Sequence, residues 1–171
     1  MRKIMKKESG FTMIELMVTI AIVLLLASVA VPSFLSWLPR QRLRSAVSDL
    51  VADIQLTKLS AIKENQNWAI VFDTATDRYY LSSGDGANNL WDGPPAMGGD
   101  DPSVKAIRLS RRGSGVQFIA VGGAFGVHEP HIEFNSRGLS NAVQIDMTNM
   151  AGSPSYRIQT TLAGGIVSDK L

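Results

Sequence analysis

Between Phe11 and Val31 the chain reads FTMIELMVTIAIVLLLASVAV, 21 residues whose single charge is Glu15. Nothing else in the sequence limits the fold as much. As an α-helix, this run spans about 30 Å, the hydrocarbon thickness of a bilayer. A core helix apolar on every side is out of place in a domain this small. A basic head precedes it: Arg2, Lys3, Lys6 and Lys7 against Glu8. Positive flanks stay cytoplasmic, so the body after the run is expected on the far side of the membrane.

The charge is unevenly placed. The net charge is +2 and the pI about 9.0, yet residues 1–10 alone carry +3. After Val31 the basic and acidic side chains balance, 13 against 13. A neutral body argues against a nucleic-acid surface, which needs a basic excess over phosphate. Cysteine is absent, which excludes disulfides, thiolate metal sites and a cysteine nucleophile. It leaves the compartment open, because exported proteins can lack disulfides.

An ordinary cleaved signal peptide has a shorter apolar stretch and a small-residue cleavage site, for which SVAVPSF is a weak candidate. A plain anchor explains the length and the basic flank but not Glu15. An acid at the bilayer centre costs at least ~2.5 kcal/mol, less near the edge. The segment KKESG-FTMIEL, from Gly10 and Phe11 through Thr12, Met13, Ile14 and Glu15 to Leu16, resembles the class III signal of type IV pilins and type II secretion pseudopilins. The resemblance implies that prepilin peptidase cuts between Gly10 and Phe11 on the cytoplasmic face. It also implies that Phe11 is N-methylated and that the apolar segment is retained. Glu15 then becomes the fifth residue of the mature chain and pairs with the N-terminal amine of a neighbouring subunit in a filament. That pairing offsets the desolvation each charge suffers alone. The alternative is that Glu15 only snorkels to the interface.

Pro32 and Pro39 each remove a helix hydrogen bond. A kinked but continuous helix is expected at Pro32, a proline common at this position among pilins, and a break is conceivable at Pro39. Beyond them Leu43, Val47, Leu50, Ile54, Thr57 and Ala61 form one helical stripe expected to pack on a sheet, with Arg42, Asp49, Asp53 and Lys63 largely off it. Trp37, Arg40, Arg42 and Arg44 read as an interfacial aromatic with solvated basic neighbours. After Asn65 short extended runs take over: Trp68–Asp73, Arg78–Ser82, Val104–Ser110, Val116–Ala120, His131–Asn135, Ala142–Thr148, Ser155–Thr161 and Gly165–Val167. The Gly/Asp/Asn/Pro-rich stretch from Ser83 to Pro102 reads as a surface loop.

LRSAVSDLVADIQLTKLSAIKENQNWAIVFD and IEFNSRGLSN are similar to the helix-to-strand passage and a later strand–turn of the GspH/FimT family of minor pseudopilins. The expected fold class is therefore α+β. A long N-terminal helix, transmembrane then amphipathic, packs on an antiparallel sheet or small β-sandwich head of the pilin type. The expected divisions are a leader at 1–10, a transmembrane segment at 11–31, an amphipathic periplasmic segment at 32–65 and a head at 66–171. The resemblance implies partners in prepilin peptidase, other major and minor pseudopilins, inner-membrane lipid and secreted cargo. It implies no cofactor, and an inner-membrane anchor with the head in the periplasm. The expected function is a minor pseudopilin near the tip of a type II secretion pseudopilus. The alternative is a FimT-like minor pilin, with a role in DNA uptake.

Three clusters invite chemistry. In HEPHIEF, His128, Glu129, His131 and Glu133 contain ligand atoms, but Pro130 rules out a helical metal motif, and strand-edge roles fit better. Asp85, Asp92, Asp100 and Asp101 offer oxygens of the kind calcium prefers, at a spacing unlike an EF-hand. Turn formation is the ordinary role of such loops. Arg108, Arg111 and Arg112, with Lys105, form a basic patch open to anions or DNA, although a solvated hairpin is the simpler reading. The terminal GGIVSDKL has Val167 and Asp169 where FimT-like DNA-binding tails carry arginines. No nucleophile elbow or acid pair points to an enzyme.

Overall fold

The computed structural model describes residues 10–109, 115–126, 128–149 and 155–171. One helix, α1 (Met13–Glu64), runs for 52 residues. It passes through Pro32 and Pro39 without a break, so the interruption conceivable at Pro39 does not occur. By Cα proximity the chain divides into two compact units, Met1–Leu38 and Pro39–Leu171, and the helix contributes to both.

In the second unit the sequence stripe is the buried one. Leu43, Val47, Leu50, Ile54, Thr57 and Ala61 are buried, joined by Ala46 and Asp53. The burial of Asp53 corrects its expected place off the stripe. It lies three residues after Leu50, on the same helical face. Its carboxylate accepts a hydrogen bond from the Tyr79 hydroxyl at 2.8 Å and pairs with Lys105 Nζ at 2.5 Å. A buried acid is tolerable when so partnered.

Two antiparallel sheets pack with this helix. The first has the order β3 (Ser103–Arg108), β2 (Arg78–Ser82), β1 (Trp68–Asp73), β5 (His131–Phe134). The second has the order β4 (Val116–Gly122), β6 (Gln144–Asn149), β7 (Tyr156–Thr160), β8 (Ile166–Lys170). The period-2 alternation is visible in the register. Ile70 pairs with Leu81 and Ile132, and Phe72 with Tyr79, on the core face. From the second sheet Phe118, Ile145, Met147 and Ile158 enter the same core. Phe118 meets Phe72 edge-on with ring centroids 5.4 Å apart. Each such aliphatic or aromatic burial contributes about 1.5–3 kcal/mol.

The strand boundaries differ modestly from expectation. β8 extends to Lys170 because it pairs with β7 over five residues, from Thr160↔Ile166 to Tyr156↔Lys170. Its residues are mostly exposed, so no apolar alternation marked its length. The turn IEFNSRGLSN closes against the helix. Lys58 Nζ donates to the Gly164 carbonyl at 2.8 Å. Gly164 has φ +71°, and a Cβ there would stand 1.9 Å from the Gly138 carbonyl oxygen, so only glycine fits.

The stretch from Ser83 to Pro102 carries no strand, as expected, but it is more than a surface loop. Trp91 is 3% exposed and Asp101 1%. Trp91 forms a second apolar cluster with Ala69 and Val71, on the face of β1 turned away from the helix. β1 is therefore buried on both faces, and the loop supplies an outer layer.

Candidate functional site

At the start of α1, Thr12 Oγ1 accepts the Glu15 N–H at 3.2 Å, and the Thr12 carbonyl accepts the Leu16 N–H at 3.1 Å. This is an N-cap in a T-x-x-E arrangement. The spacing from Thr12 to Glu15 was present in the sequence, but the capping role was not drawn from it. Glu15 stands in the first turn, where the helix dipole favours a negative charge. Gly10 has no positive φ, and a Cβ built there meets nothing within 4 Å among the described residues.

The side chains that follow are exposed: Phe11 is 77% exposed and Leu25 68%. A continuous apolar surface of this kind marks a membrane or subunit interface. The helix is long and apolar enough to cross a membrane, by length and composition. Pro32 cannot donate to the Ser28 carbonyl nor Pro39 to that of Leu35. Trp37 is exposed and stands near Phe34, ring centroids 6.0 Å apart.

In the head, three of the four loop carboxylates come together. Oxygens of Asp92, Asp100 and Asp101 lie within 4.8 Å of one another, and Asp85 is outside this group. Asp92 Oδ1 accepts the Asp100 N–H, Asp100 Oδ2 the Ala87 N–H, and Asp101 Oδ2 the Gly93 N–H. Burial raises the Asp101 carboxyl to about 6, helped by the charges of Asp92, Asp100 and Asp85.

The HEPHIEF residues anchor the loop. His128 Nδ1 accepts the Trp91 N–H at 2.8 Å, and the Trp91 carbonyl accepts the Glu129 N–H at 2.8 Å. His131 is buried between Trp91 and Phe125, with its Nδ1 2.7 Å from the Glu129 carbonyl. Burial holds its imidazole below the usual histidine range. Burial raises the Glu133 carboxyl, and a hydrogen bond from the Trp91 side chain opposes this. β5 is an edge strand, as the strand-edge reading requires.

Arg108 pairs across β2–β3 with Arg78, and both line an open cleft of about 680 Å³ with Tyr80, Lys105 and Ala96. Arg78 has a buried Nε without a hydrogen-bond partner among the described residues. Arg111 and Arg112 lie outside the described residues. Lys105 is committed to Asp53, which subtracts one charge from the expected patch.

Comparison with known proteins decides the family. The type II transport protein GspH family matches residues 46–164. The chain belongs to this family. A prokaryotic N-terminal methylation motif matches residues 5–31. A minor pseudopilin of the type 2 secretion system of Vibrio cholerae, EpsH, is similar in fold. Its TM-score is 0.55 at 12% identity, over 75% of this chain and 96% of that one. The type IV minor pilin FimU of Pseudomonas aeruginosa gives a TM-score of 0.51 at 16% identity, over 76% and 90% of the two chains. A fimbrial protein of Pseudomonas aeruginosa is 39% identical over 62 residues, 36% of this chain and 40% of its own length. One from Moraxella nonliquefaciens is 35% identical over 81 residues, 47% and 51%. The chain thus spans about half or less of the length of these curated relatives.

Membership of the GspH family and the pilin-type fold agree with the sequence-based expectation. The family is one of structural pseudopilins and pilin-like subunits. The apolar helix and the family are consistent with inner-membrane anchoring.

Proposed function

We propose that the chain is a minor pseudopilin of a type II secretion system, working by assembly near the tip of the pseudopilus. Prepilin peptidase cuts between Gly10 and Phe11, and the new Phe11 amine is methylated. Residues 11–31 cross the inner membrane, 32–65 continue in the periplasm, and 66–171 form the periplasmic head. The observation that carries this reading is one continuous helix with an exposed apolar N-terminal part, whose C-terminal part is buried in a GspH-type head. A glycine just before the apolar helix fits recognition by a peptidase. Glu15 sits one turn into the helix, where a neighbour's N-terminal amine can meet it. In a low-dielectric filament core, each charge offsets the other's desolvation.

The test is Glu15→Leu in the native host. The variant is expected to be cleaved normally, keeping the mature mass, yet to be missing from sheared filaments. Assembly at the wild-type level would contradict the pairing role, and Glu15 would then serve only the helix terminus.

A second reading is a FimT-like minor pilin of a type IV pilus. The fold likeness to FimU and the fimbrial relatives favour it. Deleting the gene separates the two: loss of exported enzymes from the medium supports secretion, and loss of surface pili supports the alternative.

A further inference from the structure

We propose that Asp92, Asp100 and Asp101 bind one calcium ion, which clasps the 83–102 loop onto the outer face of β1. The three carboxylates converge with oxygens within 4.8 Å of one another. Convergence alone is common in acidic loops, but here one member is buried. Asp101 is 1% exposed, and its Oδ1 is buried with no hydrogen-bond partner among the described residues. A buried carboxylate oxygen left unpaired beside two further carboxylates is a costly arrangement, and a cation relieves both the desolvation and the like-charge repulsion.

A carbonyl oxygen lies beside one of them. A Cβ built on Gly99 would lie 2.2 Å from both Asp92 Oδ1 and the Gly93 carbonyl oxygen, so those two oxygens flank the same small space. The carbonyl accepts one hydrogen bond, from the Asp101 N–H at 3.0 Å, and retains a second lone pair. Three carboxylates and a carbonyl, all oxygen, on an irregular loop match calcium, which accepts mixed oxygen ligands in flexible geometry. Magnesium demands a near-octahedral set and keeps more of its water.

The position gives the ion a role. Asp92 follows the buried Trp91, and Asp100 and Asp101 lie just before β3. Joining them ties the middle of the loop to its exit. The loop would then hold a fixed surface on the head, which a subunit contact requires.

The full-length chain in detergent micelles, stripped with chelator, is titrated with calcium chloride by calorimetry and by thermal unfolding. One saturable site is expected, with a dissociation constant on the order of 10⁻⁴–10⁻³ M. The unfolding temperature should rise with calcium by mass action. Asp100→Asn alters an exposed side chain and should still fold; it is expected to weaken binding by at least about tenfold, as is Asp101→Asn. Asp169→Asn, an exposed carboxylate on β8 of the other sheet, should bind as the parent does. Absence of saturable binding up to about 10 mM calcium, or unchanged affinity in Asp100→Asn, would overturn the site. Equal affinity for magnesium would overturn its assignment to calcium.

Discussion

Asp53 shows how one buried acid can join a helix to a sheet. Its carboxylate takes the Tyr79 hydroxyl and the Lys105 ammonium, linking α1 to β2 and β3. Replacing it with alanine takes an acceptor from the buried Tyr79 hydroxyl, while the part-exposed Lys105 can turn to water. Asp53→Ala is therefore expected to lower stability by about 1–3 kcal/mol, read as a lower thermal midpoint in detergent. A midpoint within error of the parent would mean that the two partners find other acceptors. Periodicity alone could not disclose this role, because a charged residue on an apolar face reads as an interruption until its partners are known. Glu15 was legible for the opposite reason. It is an isolated acid in an apolar run, and its spacing from Gly10 and Phe11 is itself informative. What the sequence reading passed over there was Thr12, whose hydroxyl caps the helix that Glu15 enters.

At the scale of elements, legibility followed apolar alternation. The stripe from Leu43 to Ala61 and the strands β1, β2, β5 and β6 carry it, and their places were readable to within a few residues. β8 carries little of it and was read too short. The loop from Ser83 to Pro102 defeats the method, since its composition signals turns and hides one buried aromatic. Trp91 is its anchor, packed on Ala69 and Val71 and hydrogen-bonded through its backbone to His128 and Glu129. Trp91→Ala is expected to cost about 3 kcal/mol and to expose the loop to proteases. The first cuts in limited proteolysis should fall between residues 83 and 102. Unchanged resistance there would show that the loop is held by other contacts.

For the whole molecule, two physical demands share one chain. The head closes a core between α1 and two antiparallel sheets, while the N-terminal part of the same helix exposes apolar side chains that no other described residue covers. Such a surface is stable in lipid or against other subunits and unfavourable in water. This division was readable from the 21-residue run and the change of pattern after Asn65. The pairing of eight strands into two sheets was not, because strand order depends on contacts far apart in sequence. In the proposed function these halves make a subunit that anchors first and assembles later.

That order rests on processing at Gly10–Phe11. Mass spectrometry of the chain purified from its native membrane measures it directly. The expected result is a mature protein beginning at N-methylated Phe11. A protein still carrying residues 1–10, or cut beyond the apolar run, would contradict the account.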